Sequence, residues 1–108
     1  MTRKALQIGK WLVEPTLKRL SCGSTSVEVE PKTMAVLLCL ASRPGEVFST
    51  DEIIEQVWGN RPMGDNPVYK CIAKLRRALD DEAGAPSCIT TVTKVGYRLM
   101  LPVSAADT

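Results

Sequence analysis

Asn66-Pro67-Val68-Tyr69-Lys70-Cys71-Ile72-Ala73-Lys74-Leu75-Arg76-Arg77-Ala78-Leu79 is the stretch on which the reading of this chain turns. Asparagine suits a helix N-cap and proline the first helical position, so a helix over 66–80 is expected. At helical pitch, Val68, Ile72, Leu75 and Leu79 share one face, and Lys70, Lys74 and Arg77 share the opposite one. Asn66 and Ala73 flank the basic stripe, Arg76 lies at its side, and no acidic residue intervenes before Asp80. A few cations on a helix are commonly no more than a solvated face. Here the interspersed glutamates that favour solubility and helix pairing are missing, and the small Ala73 leaves room for a close approach.

Downstream, the acidic turn Asp81-Glu82-Ala83-Gly84-Ala85-Pro86 leads into a β-hairpin. Cys88–Thr93 is rich in β-branched residues, Lys94-Val95-Gly96 forms the turn, and Tyr97–Val103 returns. Gly96 is expected to supply the positive φ that such turns often need. Lys94 then stands at the hairpin tip. A basic helix and a basic hairpin tip, side by side, can reach neighbouring grooves of one DNA duplex. Residues 104–108 read as a tail or the start of a linker, which leaves 1–103 as the domain.

Upstream, Val47-Phe48-Ser49 is a short extended link into a helix capped by Thr50, or else by Ser49, with Asp51 and Glu52 in its first turn. Ile53, Ile54, Val57 and Trp58 form its inward face, and Gly59 stops it. Before the link comes a helix opened by Pro31 and ended by Arg43-Pro44-Gly45, apolar on most sides and therefore central. The first 30 residues read as short strands at Ala5–Ile8, Trp11–Glu14, Leu17–Ser21 and Ser26–Glu30, parted by Gly9, Pro15 and Cys22-Gly23-Ser24.

At 108 residues the chain is one domain, and 44% apolar residues supply one core. The net charge of +2 hides an asymmetry: Glu28, Glu30, Glu46, Asp51, Glu52 and Glu55 precede the basic helix, while Lys70, Lys74, Arg76, Arg77, Lys94 and Arg98 lie in or after it. Cys22, Cys39, Cys71 and Cys88 make no C-x-x-C pair, and there is no histidine, so no metal site is expected and the cysteines read as small residues of a reducing compartment. With no histidine, no phosphate-cradling glycine loop and no partnered carboxylates, no enzyme and no cofactor are expected. Trp11, Phe48, Trp58 and Tyr97 read as packing residues; 5% aromatics is poor material for stacking single-stranded bases. No apolar run approaches the ~20 residues needed to span a bilayer.

Three segments, in this order and at this spacing, resemble the OmpR/PhoB-type winged-helix domains. Asp51–Gly59 is similar to their middle helix, Val68–Leu79 to their recognition helix and Thr91–Leu99 to their wing. The ends, Ile8–Pro15 and Tyr97–Val103, are closer to the CadC/ToxR-like branch of transcriptional regulators. The resemblance covers about residues 6–103. It implies an α+β winged helix-turn-helix: an N-terminal four-stranded antiparallel sheet, three helices and a C-terminal β-hairpin wing. It implies sequence-specific binding of double-stranded DNA by a transcription regulator in signal transduction. Lys70, Ala73 and Lys74 would then face the major groove, with Asn66 and Arg77 further DNA-binding residues of the same helix. Arg76 and Thr91 would meet phosphates, and Thr93 and Lys94 would reach the minor groove from the wing. Arg98 is either a phosphate contact or simply exposed. Ala73 and Lys74 stand where arginine is frequent in the family, as does Thr93 in the wing. Lysine lacks the fork that reads guanine best, so DNA shape gains weight. The loop 59–65 corresponds to a segment that meets RNA polymerase in some relatives, and two copies on a repeated site are expected. A winged helix that begins the chain fits the CadC/ToxR-like order, so the expectation is a cytoplasmic domain whose parent is tethered to the membrane. A second reading keeps the fold and turns the basic face towards an acidic protein surface.

Overall fold

Glycine at position 9 turns the chain back on itself with φ 57°, and on either side of it β1 (Leu6–Ile8) and β2 (Trp11–Glu14) pair antiparallel. The computed structural model describes residues 5–59, 67–79 and 88–105. Trp11 and Val13 of β2 are buried while Leu12 and Glu14 are half-exposed, the alternation of a strand with one wet face. Pro15–Leu17 make one 3-10 turn, after which β3 (Arg19–Cys22) and β4 (Thr25–Glu28) extend the meander. The strand expected to begin at Leu17 therefore starts later: the proline-led turn takes Leu17, which stays exposed.

The helices follow the sequence closely. α1 (Pro31–Ala41) has Pro31 in its first turn and buries Met34, Val36, Leu37 and Leu40, as a helix apolar on most sides must. β5 (Phe48–Ser49) leads into α2 (Thr50–Trp58), and Ser49 is the cap. Its hydroxyl accepts from the Glu52 N–H (3.1 Å) while its own N–H donates to the Glu52 carboxylate (3.0 Å). Gly59, at φ 68°, closes the helix in the left-handed region. α3 (Pro67–Ala78) packs Val68, Cys71, Ile72 and Leu75 inward, mainly against α1.

That capping box carries a pH signature. The Ser49 backbone N–H, then its hydroxyl, then Arg43 hold the Glu52 carboxyl below the usual carboxylate range. A depressed folded pKa stabilises above the ordinary carboxylate value, and that stabilisation disappears as pH falls through the folded one. Ser49→Ala is expected to cost about 1 kcal/mol at neutral pH. The difference from wild type should shrink as pH falls past the ordinary carboxylate value and through the depressed one of Glu52. Thermal unfolding of both proteins at neutral pH and near pH 3 checks this; a constant difference would contradict it.

The C-terminal half corrects two expectations. β6 (Ile89–Val92) and β7 (Gly96–Leu99) form the hairpin, and β5 joins it to give the order β5-β7-β6, with Phe48 opposite Tyr97 and Ser49 opposite Gly96. The return strand does not run to Val103. It ends at Leu99, and the chain bends through Met100–Pro102; proline has no N–H to continue a ladder. The Pro102 carbonyl instead accepts from the Gly9 N–H at 2.9 Å, and β8 (Val103–Ala105) pairs with β1. The first sheet thus has five strands, β4-β3-β2-β1-β8, where four were expected. Otherwise the α+β order of sheet, three helices and hairpin stands as expected. Phe48, Ile53, Ile72, Leu75, Ile89 and Leu99 meet in one core between the helices and the two sheets.

Candidate nucleic-acid interface

The apolar stripe of α3 is committed to the core, and this decides what the helix shows outside. Val68, Ile72, Leu75 and Leu79 are at most 1% exposed, so Lys70, Ala73, Lys74 and Arg77 all face outward. The basic face expected from the spacing is present. Tyr69, 64% exposed, stands beside it. Asn66 lies outside the described residues, as does the loop 59–65 apart from Gly59.

Lys74 and Arg76 are both engaged within the chain. The Lys74 ammonium pairs with the carboxylate of Glu30, the residue preceding α1. That hydrogen bond, together with the carboxylate charge, raises the Lys74 pKa. Arg76 is half-buried and turns away from the stripe, towards the wing. Its Nε (3.2 Å) and Nη2 (2.9 Å) donate to the Ile89 carbonyl, and Nη2 also donates to the Thr91 hydroxyl at 2.7 Å. Arg76 and Thr91, both expected at phosphates, are thus brought together and bonded to each other. Glu30 is a residue that sequence reasoning missed: 44 positions separate it from Lys74, and only the packing of α1 on α3 joins them.

The wing tip is built around an unusual lysine. The Val95 N–H donates to the Val92 carbonyl (2.9 Å), closing a turn whose third residue, Lys94, takes φ 64°. A side chain in the left-handed region costs about 1–2 kcal/mol, which glycine avoids. Gly96, expected to hold that conformation, does not. It lies in β7 at ordinary φ, where a Cβ would come within 1.9 Å of the Phe48 carbonyl oxygen. Glycine is required there for close approach of two strands, while the strained position carries a charge. Thr93, Lys94 and Val95 are all exposed. Between the tip and the start of α2 lies an open groove of about 560 Å³, lined by Ser49, Thr50, Asp51, Thr91, Lys94 and Val95 among others. Arg98 stands apart from the stripe, half-buried opposite Thr90, with its Nε buried and lacking a hydrogen-bond partner.

Lys94 gives a separable prediction. Lys94→Gly relieves the left-handed strain but adds chain entropy to the unfolded state, for a net gain of about 0–1 kcal/mol. If the strain is kept for the charge, the same change weakens binding to duplex DNA and flattens its salt dependence by about 0.9 in log–log slope. Melting curves and binding titrations on one preparation check both halves. A variant that is less stable yet binds equally well would contradict the assignment.

The cysteines carry no such chemistry. All four are free thiols, and burial raises the pKa of Cys39 and Cys71. Among the described residues no group of three or more His, Cys, Asp or Glu could hold a metal ion, and no helix is long and apolar enough to cross a membrane.

Residues 24–99 match the family described as transcriptional regulatory protein, C terminal. The transcriptional activator CadC of Escherichia coli (strain K12) is 36% identical over 104 residues, 95% of this chain and 20% of CadC. The chain therefore spans about a fifth of that relative's length. The structure of the E. coli CadC DNA-binding domain superposes with a TM-score of 0.84 at 36% identity, covering 97% of this chain and 99% of that one. The Klebsiella pneumoniae RstA DNA-binding domain, solved in complex with the RstA box, superposes with a TM-score of 0.76 at 26% identity over 91% of this chain and 98% of that one.

Proposed function

We propose, for a chain that belongs to the family of C-terminal domains of transcriptional regulatory proteins, that it binds double-stranded DNA sequence-specifically, with α3 in the major groove and the 91–98 wing at the minor groove. The observation that carries this is the outward face of α3, Lys70, Ala73, Lys74 and Arg77, set beside a wing tip that holds Lys94 in a strained conformation. The small Ala73 lets the helix approach base edges, and the flanking cations meet phosphates or guanine acceptors. The exposed Thr91 and Thr93 extend this surface along the wing. CadC, a transcriptional activator, and RstA, solved bound to its box, support the same reading. Association as two copies on a repeated site, contact of the 59–65 loop with RNA polymerase, and a cytoplasmic location within a membrane-tethered parent are parts of this proposal.

The test is a titration of the purified domain against duplex DNA selected from a random pool, between 50 and 200 mM salt. Log affinity should fall linearly with log salt at a slope of about −3 or steeper, since each neutralised phosphate contributes about −0.9. No binding at low salt, with stable capture of an acidic protein instead, would favour the protein-interaction reading.

A further inference from the structure

Arg76 spends its guanidinium on the protein's own backbone. Two of its nitrogens converge on the Ile89 carbonyl and one of these also reaches the Thr91 hydroxyl. Ile89 and Thr91 belong to β6, whose far end turns through Thr93 and Lys94. The backbones of α3 and β6 approach each other little, so the side chain spans a gap that backbone packing leaves. Ile89 is fully buried, which fixes the near end of the strand, while the tip beyond Val92 is exposed. The guanidinium is planar and forked, so a two-point bond to one carbonyl, plus a third to a hydroxyl two residues on, sets direction as well as distance.

From this geometry we infer that Arg76 is a positioning residue, which locks the wing to the recognition helix so that the minor-groove contact of Lys94 is made in register with the major-groove contacts of α3. The inference rests on the DNA-binding reading above and deepens it. It differs from a phosphate contact by Arg76 in a measurable way. A phosphate contact adds its own share of affinity independently of Lys94. A lock contributes through Lys94, because a wing free to swing holds its lysine in the groove only part of the time.

The experiment is a double-mutant cycle on the pool-selected duplex, with Lys94→Ala and Arg76→Ala measured singly and together. Lys94→Ala should weaken binding on the order of tenfold in the wild-type background and less than threefold in the Arg76→Ala background. Arg76→Lys should behave as Arg76→Ala, since a point charge cannot make the forked bond. Thr91→Val, close to threonine in shape, removes one of the three bonds and should give a smaller coupling in the same direction; it decides the matter if Arg76→Ala fails to fold. Independent, multiplying effects of Arg76 and Lys94, or full rescue by Arg76→Lys with the salt slope restored, would overturn the inference and return Arg76 to the phosphates. Absence of duplex binding by the wild-type domain would instead overturn the underlying reading.

Discussion

Gly96→Ala is expected to destabilise the domain by about 3 kcal/mol or more, at the upper end of what overpacking costs. The methyl group would lie 1.9 Å from the Phe48 oxygen and 2.8 Å from the Phe48 carbonyl carbon and the Ser49 Cα. All three are backbone atoms, so no rotamer change relieves the clash and β5 must part from β7. That movement breaks the pairing of Phe48 with Tyr97 and of Ser49 with Gly96. It also shifts Phe48, a fully buried side chain with Arg43 over its ring at 4.5 Å, and Ser49, the cap of α2. A one-carbon change therefore reaches the core, a helix start and the wing together. Equilibrium urea unfolding measures it. Stability within about 1 kcal/mol of wild type, an ordinary surface effect, would mean that the two strands do not need this approach.

Lys70→Ala combined with Lys74→Ala is expected to weaken duplex binding by about 2–3 kcal/mol, roughly 30- to 150-fold. Both side chains stand on the exposed face of α3, where truncation leaves the core untouched, so melting temperature should hold while affinity falls. Lys74 must leave Glu30 before it serves DNA, and the single variants, titrated beside the double one, apportion the loss between the two lysines. Unchanged affinity in the double variant would remove α3 from the interface.

How far such results can be foreseen from sequence depends on the range of the interaction involved. The helices were legible because their signals are local: Pro31 and the Ser49-Thr50 pair mark starts, Gly59 marks a stop, and the apolar stripe of α3 repeats at helical pitch, although which of Ser49 and Thr50 is the cap showed only in the structure. The outward face of α3 followed, since burying Val68, Ile72, Leu75 and Leu79 leaves the lysines no other side. The fifth strand was not legible. Val103-Ser104-Ala105 has no strand pattern of its own and takes its shape from the open edge of β1, nearly a hundred residues earlier in the chain. The partners of Lys74 and Arg76 escaped for the same reason. Glu30 meets Lys74, and Arg76 meets Ile89 and Thr91, only after α1, α3 and β6 have packed. Gly96 was singled out as an important glycine, but for the wrong reason: a turn signal and a strand-contact signal look alike in one dimension, and the left-handed residue proved to be Lys94.

The groove assignment itself is open to one direct measurement, methylation interference on duplex DNA selected by the purified domain. Dimethyl sulfate marks guanine N7 in the major groove and adenine N3 in the minor groove of the same molecules. The expected result is loss of binding on N7 methylation within a short central stretch, where α3 lies. Loss on N3 methylation should appear about five base pairs away, where the next minor groove faces the wing. Binding that tolerates N7 methylation at every guanine of the selected site would contradict the placement of α3 in the major groove, and with it the central claim.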